Sequence, residues 1–433
     1  MSPALSDLAP KRHRHGALQM HPYFGKLDPA LAGALIDAYS KPGQVVLDPF
    51  CGSGTILHEA VLRGRCAQGW DSSPLATLIA CGRLLGITNA ESRALQELQH
   101  EVSAYGEDRP LLAKPLPSER EQPEMPRILN VESWFAQHAL AELGFLRHLL
   151  SKRLKKMPPA ARMLARIAFS RIVVAASNQQ GESSYTRVDK RDRPGRVVDL
   201  FARALVDVAI AATAFDRERF AAGFNADREL LERTSFDTRI SWATIWAEVR
   251  QQDSRVSPRV LNGATVADLV VSSPPYLMSW DYGLYHKFRF YWLGFDLDSY
   301  EDTEIGRHLR RKRDDVARYR DDMARTFVSL DQALSPSATI AFVNAPSVVY
   351  GEMIDTNEIL AECGRDAGWT LAECVPSLSI PGPHHGMYAS LASRGATAPG
   401  ERGKREHVLI FRRASCRSKN KQASAQPRIR PKS

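Results

Sequence analysis

Val45-Val46-Leu47-Asp48-Pro49-Phe50-Cys51-Gly52-Ser53-Gly54-Thr55 decides the fold. The three apolar residues read as a short buried strand. Two glycines follow, and without side chains they let the backbone come close to a ligand. Ile56 to Arg63 then reads as a helix whose first N–H groups have no intrahelical partner. Strand, glycine turn and helix form the dinucleotide- or adenosine-binding arrangement. A nicotinamide fingerprint fits poorly, because Leu57 stands three residues after Gly54 and Asp48 precedes the turn. A second strand, Cys66 to Trp70, ends in Asp71, which follows Asp48 by 23 residues. An acid at about this spacing meets ribose hydroxyls. The alternative is an acidic cap for the helix that opens at Ser72-Ser73-Pro74.

A second stretch, Leu269-Val270-Val271-Ser272-Ser273-Pro274-Pro275-Tyr276, carries the chemistry. Its apolar run reads as a buried strand, and the two prolines stop it. Pro275 also holds Pro274 extended. A stiff corner results at the carboxyl end of a strand, where open α/β sheets place their ligands. A hydroxyl, a carbonyl freed from pairing and an aromatic ring suit one task there: accepting hydrogen bonds from a planar amine while stacking on its ring. The bland alternative is a proline-broken strand end with a packing tyrosine.

From about Gly86 to Arg233 the strand pattern vanishes. Trp134–Leu154, Ala160–Ala176 and a stripe through Val197, Phe201, Leu205 and Val208 predict an all-helical insertion. Between the last two helices, Ser177–Arg187 is dense in amides and hydroxyls and leads to Lys190, Arg191, Arg193 and Arg196. Such groups read base edges or hold phosphates, unless they form a solvated loop. The sheet resumes at about Ala247, passes Asp253-Ser254-Arg255, and continues through Thr339–Val343 to His407–Phe411. Trp280, Tyr282, Tyr285 and Phe288 open an aromatic segment, mostly core, from which a few rings wall a pocket for flat ligands. Arg307 and Arg310–Arg313 form a basic run, and Pro381–Gly386 a loop with two histidines but no third metal ligand.

The net charge of +9 is concentrated at one end: eight Lys or Arg and no acid lie from Arg412 onward. Six scattered cysteines give neither a disulfide framework nor metal-ligand spacing. No apolar run reaches the length of a membrane span and no signal peptide is evident, so a cytoplasmic location is expected. The expected organisation is a flexible N-terminus (1–18), a catalytic domain (19–84 plus 236–411), the helical insertion (85–235) and a basic disordered tail (412–433).

Asp48-Pro49-Phe50-Cys51-Gly52-Ser53-Gly54-Thr55 resembles the D-P-F-x-G-S-G-T cofactor loop of the amino-methylating DNA methyltransferases. Ser273-Pro274-Pro275-Tyr276 resembles their S-P-P-Y corner, the version associated with cytosine N4. His21-Pro22-Tyr23 with Lys26 resembles the element that closes over the cofactor's methionine end, and Asp253-Ser254-Arg255 the segment near its adenine. The resemblance covers about residues 20–84 and 247–411. It implies a Rossmann-like α/β sheet, S-adenosylmethionine as cofactor and DNA as partner, with no metal. Tyr23, Asp48, Phe50, Gly52, Ser53, Gly54, Thr55, Asp71 and Asp253 are then cofactor residues. Ser273, Pro274, Pro275 and Tyr276 are catalytic. The implied reaction is site-specific methylation, as in restriction-modification, of an exocyclic amine on a flipped base, preferably cytosine N4. Adenine N6, an RNA substrate (guanine N2) and a non-catalytic DNA-binding protein stay open, as does oligomeric state.

Overall fold

The described residues form eleven strands: β1 (Val45–Asp48), β2 (Cys66–Asp71), β3 (Gln179–Gly181), β4 (Ser184–Arg187), β5 (Ala247–Gln251), β6 (Ala267–Ser272), β7 (Leu334–Asn344), β8 (Ser347–Val349), β9 (Glu352–Ile354), β10 (Trp369–Pro376) and β11 (His407–Arg413). Seven make one sheet in the order β10-β11-β7-β6-β1-β2-β5. β1 lies parallel to β2 on one side and to β6 on the other. β11 is antiparallel to both β7 and β10. The computed structural model describes residues 16–23, 25–107, 126, 128–182, 184–190, 193–223, 246–256, 266–278, 280–307, 314–376 and 406–414.

β1 is buried at every position and β6 at all but Asp268. Both read as unbroken apolar runs because helices cover both faces of a parallel sheet. On one face Val46, Leu269 and Val271 pack with Leu35 and Ile36 of the helix Pro29–Tyr39 and with Ile56, Leu57 and Ala60 of the helix Thr55–Leu62. On the other, Leu47, Val270 and Ile340 meet Met323, Phe327 and Leu330 of the helix Asp315–Ala333. From β1 the chain builds outward to β2 and β5, then crosses back to β6 against the free side of β1. This reversal makes a crevice at the carboxyl ends of β1 and β6, the ligand position of Rossmann-like sheets.

The segment between β2 and β5 is mainly helical: Asn89–Glu107, Val131–Trp134, Gln137–Arg153, Pro159–Ala176 and Arg196–Ala221. Among the described residues it differs from an all-helical insertion in one place. Gln179–Gly181 and Ser184–Arg187 pair as an antiparallel hairpin. The expected single helix from Trp134 is broken as well, because Phe135 and Ala136 are extended. That break sends the Phe135 ring into the core, edge-on to Phe288 and Trp292. Two boundaries also shift. Gly16–Gln19, inside the expected flexible N-terminus, form a 3-10 turn with Ala17 fully buried. Arg412 and Arg413 belong to β11 rather than to the tail. Lys11–His15, Arg191, Arg310–Arg313, Pro381–Gly386 and the tail beyond Ala414 lie outside the described residues, as does most of the proline-rich stretch 109–126.

Candidate active site

The glycine turn is held from three directions. Asp48 ends β1 and is 2% exposed. Its Oδ1 accepts from Phe50 N (3.1 Å) and from Ser272 Oγ (2.6 Å), which ties the end of β1 to the end of β6. Burial pushes its carboxyl up to about 7. Asp71 ends β2, and its two oxygens accept from Gly52 N and Ser73 N, both at 2.8 Å. Burial raises it to about 6. Ser73, not Asp71, caps the helix Pro74–Arg83, by accepting from Ala76 N. Asp71 thus fixes the loop and also faces the crevice.

The third direction is Arg83, a residue that sequence reasoning missed. It is fully buried. Nη1 donates to Ser53 O and Ser53 Oγ, both at 2.7 Å, and Nη2 to Leu18 O and His21 O, both at 3.1 Å. One guanidinium therefore straps the N-terminal segment onto the glycine loop, and burial lowers it to about 9. Lys26 Nζ reaches the same Leu18 and His21 carbonyls, both at 3.5 Å, and burial lowers it to about 7. The strap presents Tyr23, whose ring stacks on His286 (5.0 Å between centroids) and lies beside Tyr282 (6.3 Å).

The two glycines do different things. Both have left-handed backbones, φ +49° at Gly52 and +80° at Gly54. A Cβ on Gly52 would meet the Tyr23 ring at 3.4 Å, on the crevice. A Cβ on Gly54 would meet Ala80 Cβ at 3.0 Å and Cα at 3.1 Å. Gly54 thus permits a close approach to the neighbouring helix Pro74–Arg83. Ser53 is buried against Arg83, and Thr55 Oγ1 is buried at the start of the helix with no hydrogen bond.

The second half of the site is the corner after β6. Ser272 is consumed by Asp48, while Ser273 and Pro275 face the crevice and Pro274 is buried behind them. Tyr276 Oη lies 3.0 Å from Glu406 Oε1, and 3.5 Å from both Ser273 Oγ and Val343 O. The corner therefore gathers the ends of β6 and β7 and the start of β11. The crevice encloses about 650 Å³, open solvent included. Phe50, Gly52, Asp71, Asp253, Tyr23 and Ser273 line it, and so do three residues without a motif: Tyr282, Tyr300 and Glu304. Asp253 reaches it already engaged, since Arg255 donates Nε to Oδ1 (2.9 Å) and Nη2 to Oδ2 (2.6 Å). Those bonds hold its carboxyl below the ordinary range despite its burial.

The hairpin β3–β4 approaches the site from the insertion. Glu182, at its turn, takes Arg289 Nη2 at 2.6 Å. Arg289, fully buried, also donates to Ser170 O and contacts His286 Nδ1. Several expected nucleic-acid groups have structural partners instead. Lys190 Nζ and Arg196 Nη1 donate to the carbonyls of Val174 and Ala175, at the end of Pro159–Ala176. Arg193 pairs with Asp199. Arg187 is exposed on β4. No group of metal-ligating side chains is found among the described residues, and no described helix is long and apolar enough to cross a membrane.

Residues 5–80 match a family model described as DNA methylase, of the N6/N4 type. A curated relative, the type II methyltransferase M.MjaII of Methanocaldococcus jannaschii, is 38% identical over 76 residues, which is 18% of this chain and 14% of the relative. The chain thus matches about one seventh of that relative's length. Over this stretch the sequence is similar to amino-methylating DNA methylases. Similar solved structures include TrmN from Thermus thermophilus, at 12% identity and a TM-score of 0.30, covering 92% of this chain and 51% of that one. Another is the rRNA methyltransferase aviRa of Streptomyces viridochromogenes, at 14% identity and a TM-score of 0.33, covering 95% and 94%.

Proposed function

We propose that the whole chain is an amino-methylating DNA methyltransferase that uses S-adenosylmethionine and acts on the exocyclic amine of a flipped base, preferably cytosine N4. The observation that carries this reading is the Asp48–Ser272 hydrogen bond at 2.6 Å. It locks the glycine loop of β1 and the Ser273–Tyr276 corner of β6 side by side across one crevice. The residues present suit the cofactor: a carboxyl on β2 for the ribose, a strap with an aromatic ring, and a loop where a side chain on Gly52 would intrude.

When bound, the cofactor supplies an electrophilic methyl group on a sulfonium that leaves as a thioether. Tyr23, Gly52 and Asp71, which line the crevice, would hold it at the ends of β1 and β2. The base must leave the duplex, because its amine cannot reach the cofactor from within the stack. Tyr276 stacks on the extruded base, and its bond to Glu406 fixes the ring. Ser273 Oγ and the Pro274 carbonyl accept from the amine and turn its lone pair towards the methyl group. Ser273 orients the amine; a neutral hydroxyl is too weak a base to deprotonate it, so the proton leaves to solvent after transfer, when the methylated amine is cationic and strongly acidic. Positioning of this kind supplies much of the acceleration.

The test is incubation with labelled S-adenosylmethionine and DNA, RNA or protein, followed by nucleoside analysis. N4-methylcytosine in DNA is the expected product. N6-methyladenine would overturn the preference for cytosine and keep the mechanism. Label in RNA or protein alone would overturn the DNA reading.

A further inference from the structure

We propose that Glu304 reads the positive charge of the methyl donor, so that the crevice holds the sulfonium cofactor more tightly than its uncharged thioether product. This rests on the cofactor reading above. Glu304 follows the helix Leu297–Thr303, is 6% exposed, and faces the crevice. Its segment is pinned to the catalytic corner: Met278 N donates to Gly306 O at 2.8 Å, and a Cβ on Gly306 would stand 3.2 Å from the Tyr276 carbonyl oxygen. Glu304 therefore lies at the end of the crevice where the methyl group must meet the amine. Tyr23, Tyr282 and Tyr300 line the same space. Aromatic faces with a carboxylate are the chemistry that recognises an onium group. No Lys or Arg is among the described residues that line this crevice.

The charges around Glu304 leave it available. Asp281 lies behind it, and Arg307 spends its short bonds on Asp281 and Glu301 (both 2.7 Å), standing 4.0 Å from Glu304 Oε2. Asp253 across the crevice is occupied by Arg255. Asp71 faces the crevice from β2, and Tyr23 and Tyr300 stay neutral because burial holds each phenol up. Burial, then Asp281, push the Glu304 carboxyl up to about 8. Near neutral pH it holds a proton until a cation arrives. Donor binding then ionises it and passes that proton to the buffer, whereas the thioether gives no such drive.

Glu304 also accepts from Tyr282 N (2.6 Å) and Gly283 N (3.3 Å), capping the helix Tyr282–Leu293. The test must separate charge reading from capping. Titration calorimetry of the full chain uses S-adenosylmethionine, sinefungin (an amine in place of the sulfonium) and S-adenosylhomocysteine. The wild type is expected to favour the two cationic ligands by about tenfold over the thioether. Glu304→Gln should collapse that ratio while changing thioether affinity little, and Glu304→Asp should restore part of it. At pH 7, in buffers of different ionisation heat, the wild type should release more protons with S-adenosylmethionine than with S-adenosylhomocysteine. This count needs no variant and decides the matter if Glu304→Gln does not fold. Equal weakening of all three ligands, or equal proton release, would leave Glu304 as a helix cap and overturn the inference. If none of the three binds the wild type, the cofactor reading falls and this inference with it.

Discussion

The two halves of the crevice are built in opposite ways. The glycine loop after β1 is braced by Asp48, Asp71 and Arg83 through bonds of 2.6–3.1 Å. The corner after β6 is stiffened by two prolines, and its Ser273 hydroxyl has only a 3.5 Å contact with Tyr276. One side is organised before anything binds. The other leaves the Ser273 hydroxyl, the acceptor for the amine in the proposed reaction, without a short bond among the described residues. Preorganisation of the first half lowers the cost of ordering a small flexible ligand. In the second half, an internal bond to Ser273 would have to be broken at every turnover.

The comparison is broken most severely at Arg83. Arg83→Met removes the guanidinium shared by Ser53 and the strap, takes that donor from the buried Ser53 carbonyl, and leaves the strap carbonyls to Lys26 at 3.5 Å. We expect a loss of at least about 3 kcal/mol in denaturant unfolding, together with lost cofactor binding in calorimetry. Unfolding within error of the wild type would show that the strap is not held this way. The two glycines sharpen the contrast inside the loop. Gly54→Ala meets helix backbone at φ +80° and should cost about 2 kcal/mol in the same unfolding experiment. Gly52→Ala, which meets the Tyr23 ring at 3.4 Å, should cost less stability and proportionally more cofactor affinity.

A smaller effect is set by pH. The Glu304 carboxyl sits at about 8 in the folded chain against 4.5 as its ordinary value. The folded chain then holds a proton that the unfolded chain has released, so this contribution to stability is lost as pH rises from about 4.5 towards 8. Lys26, His21 and His286, all lowered, act in the opposite sense, since each is more readily protonated when unfolded. The decisive quantity is therefore the difference between wild type and Glu304→Gln, which should decline through pH 6.5–8; a flat difference would show that Glu304 is ionised in the empty crevice. The least structural cost is expected at the corner. Ser273→Ala should change stability by less than about 0.5 kcal/mol and leave cofactor affinity alone, yet lower turnover. Tyr276→Ala should also weaken base binding by about 1–3 kcal/mol. Full turnover in Ser273→Ala would remove that hydroxyl from the mechanism.

The loop and the corner were legible in the sequence because each is local: strand, special backbone residues and chemistry fall within a dozen positions. What joins them was not. Ser272 and Ser273 are adjacent and chemically identical, and only the strand's alternation assigns the first to Asp48 and the second to the crevice. Arg83 lies 30 residues from Ser53 and 65 from Leu18, with nothing in its spacing to mark it. Glu304 stands in an acid-rich run with Asp298, Glu301 and Asp302, where only burial singles it out. The aromatic segment is mostly core in its pattern, and Tyr282 is one of its rings that lines the crevice. β10 was missed because it is an edge strand with mostly exposed side chains, so no apolar pattern announces it.

Phe288 and Trp292 belong to the helix Tyr282–Leu293, which starts beside the crevice, yet they are buried among Phe135, Phe169, Phe201 and Leu146 of the insertion. The two parts of the chain therefore own one interior in common. Such an insertion is no cassette: exchanging it for that of a relative would strip two large rings of their cover, so it can be altered only by changing surface residues in place.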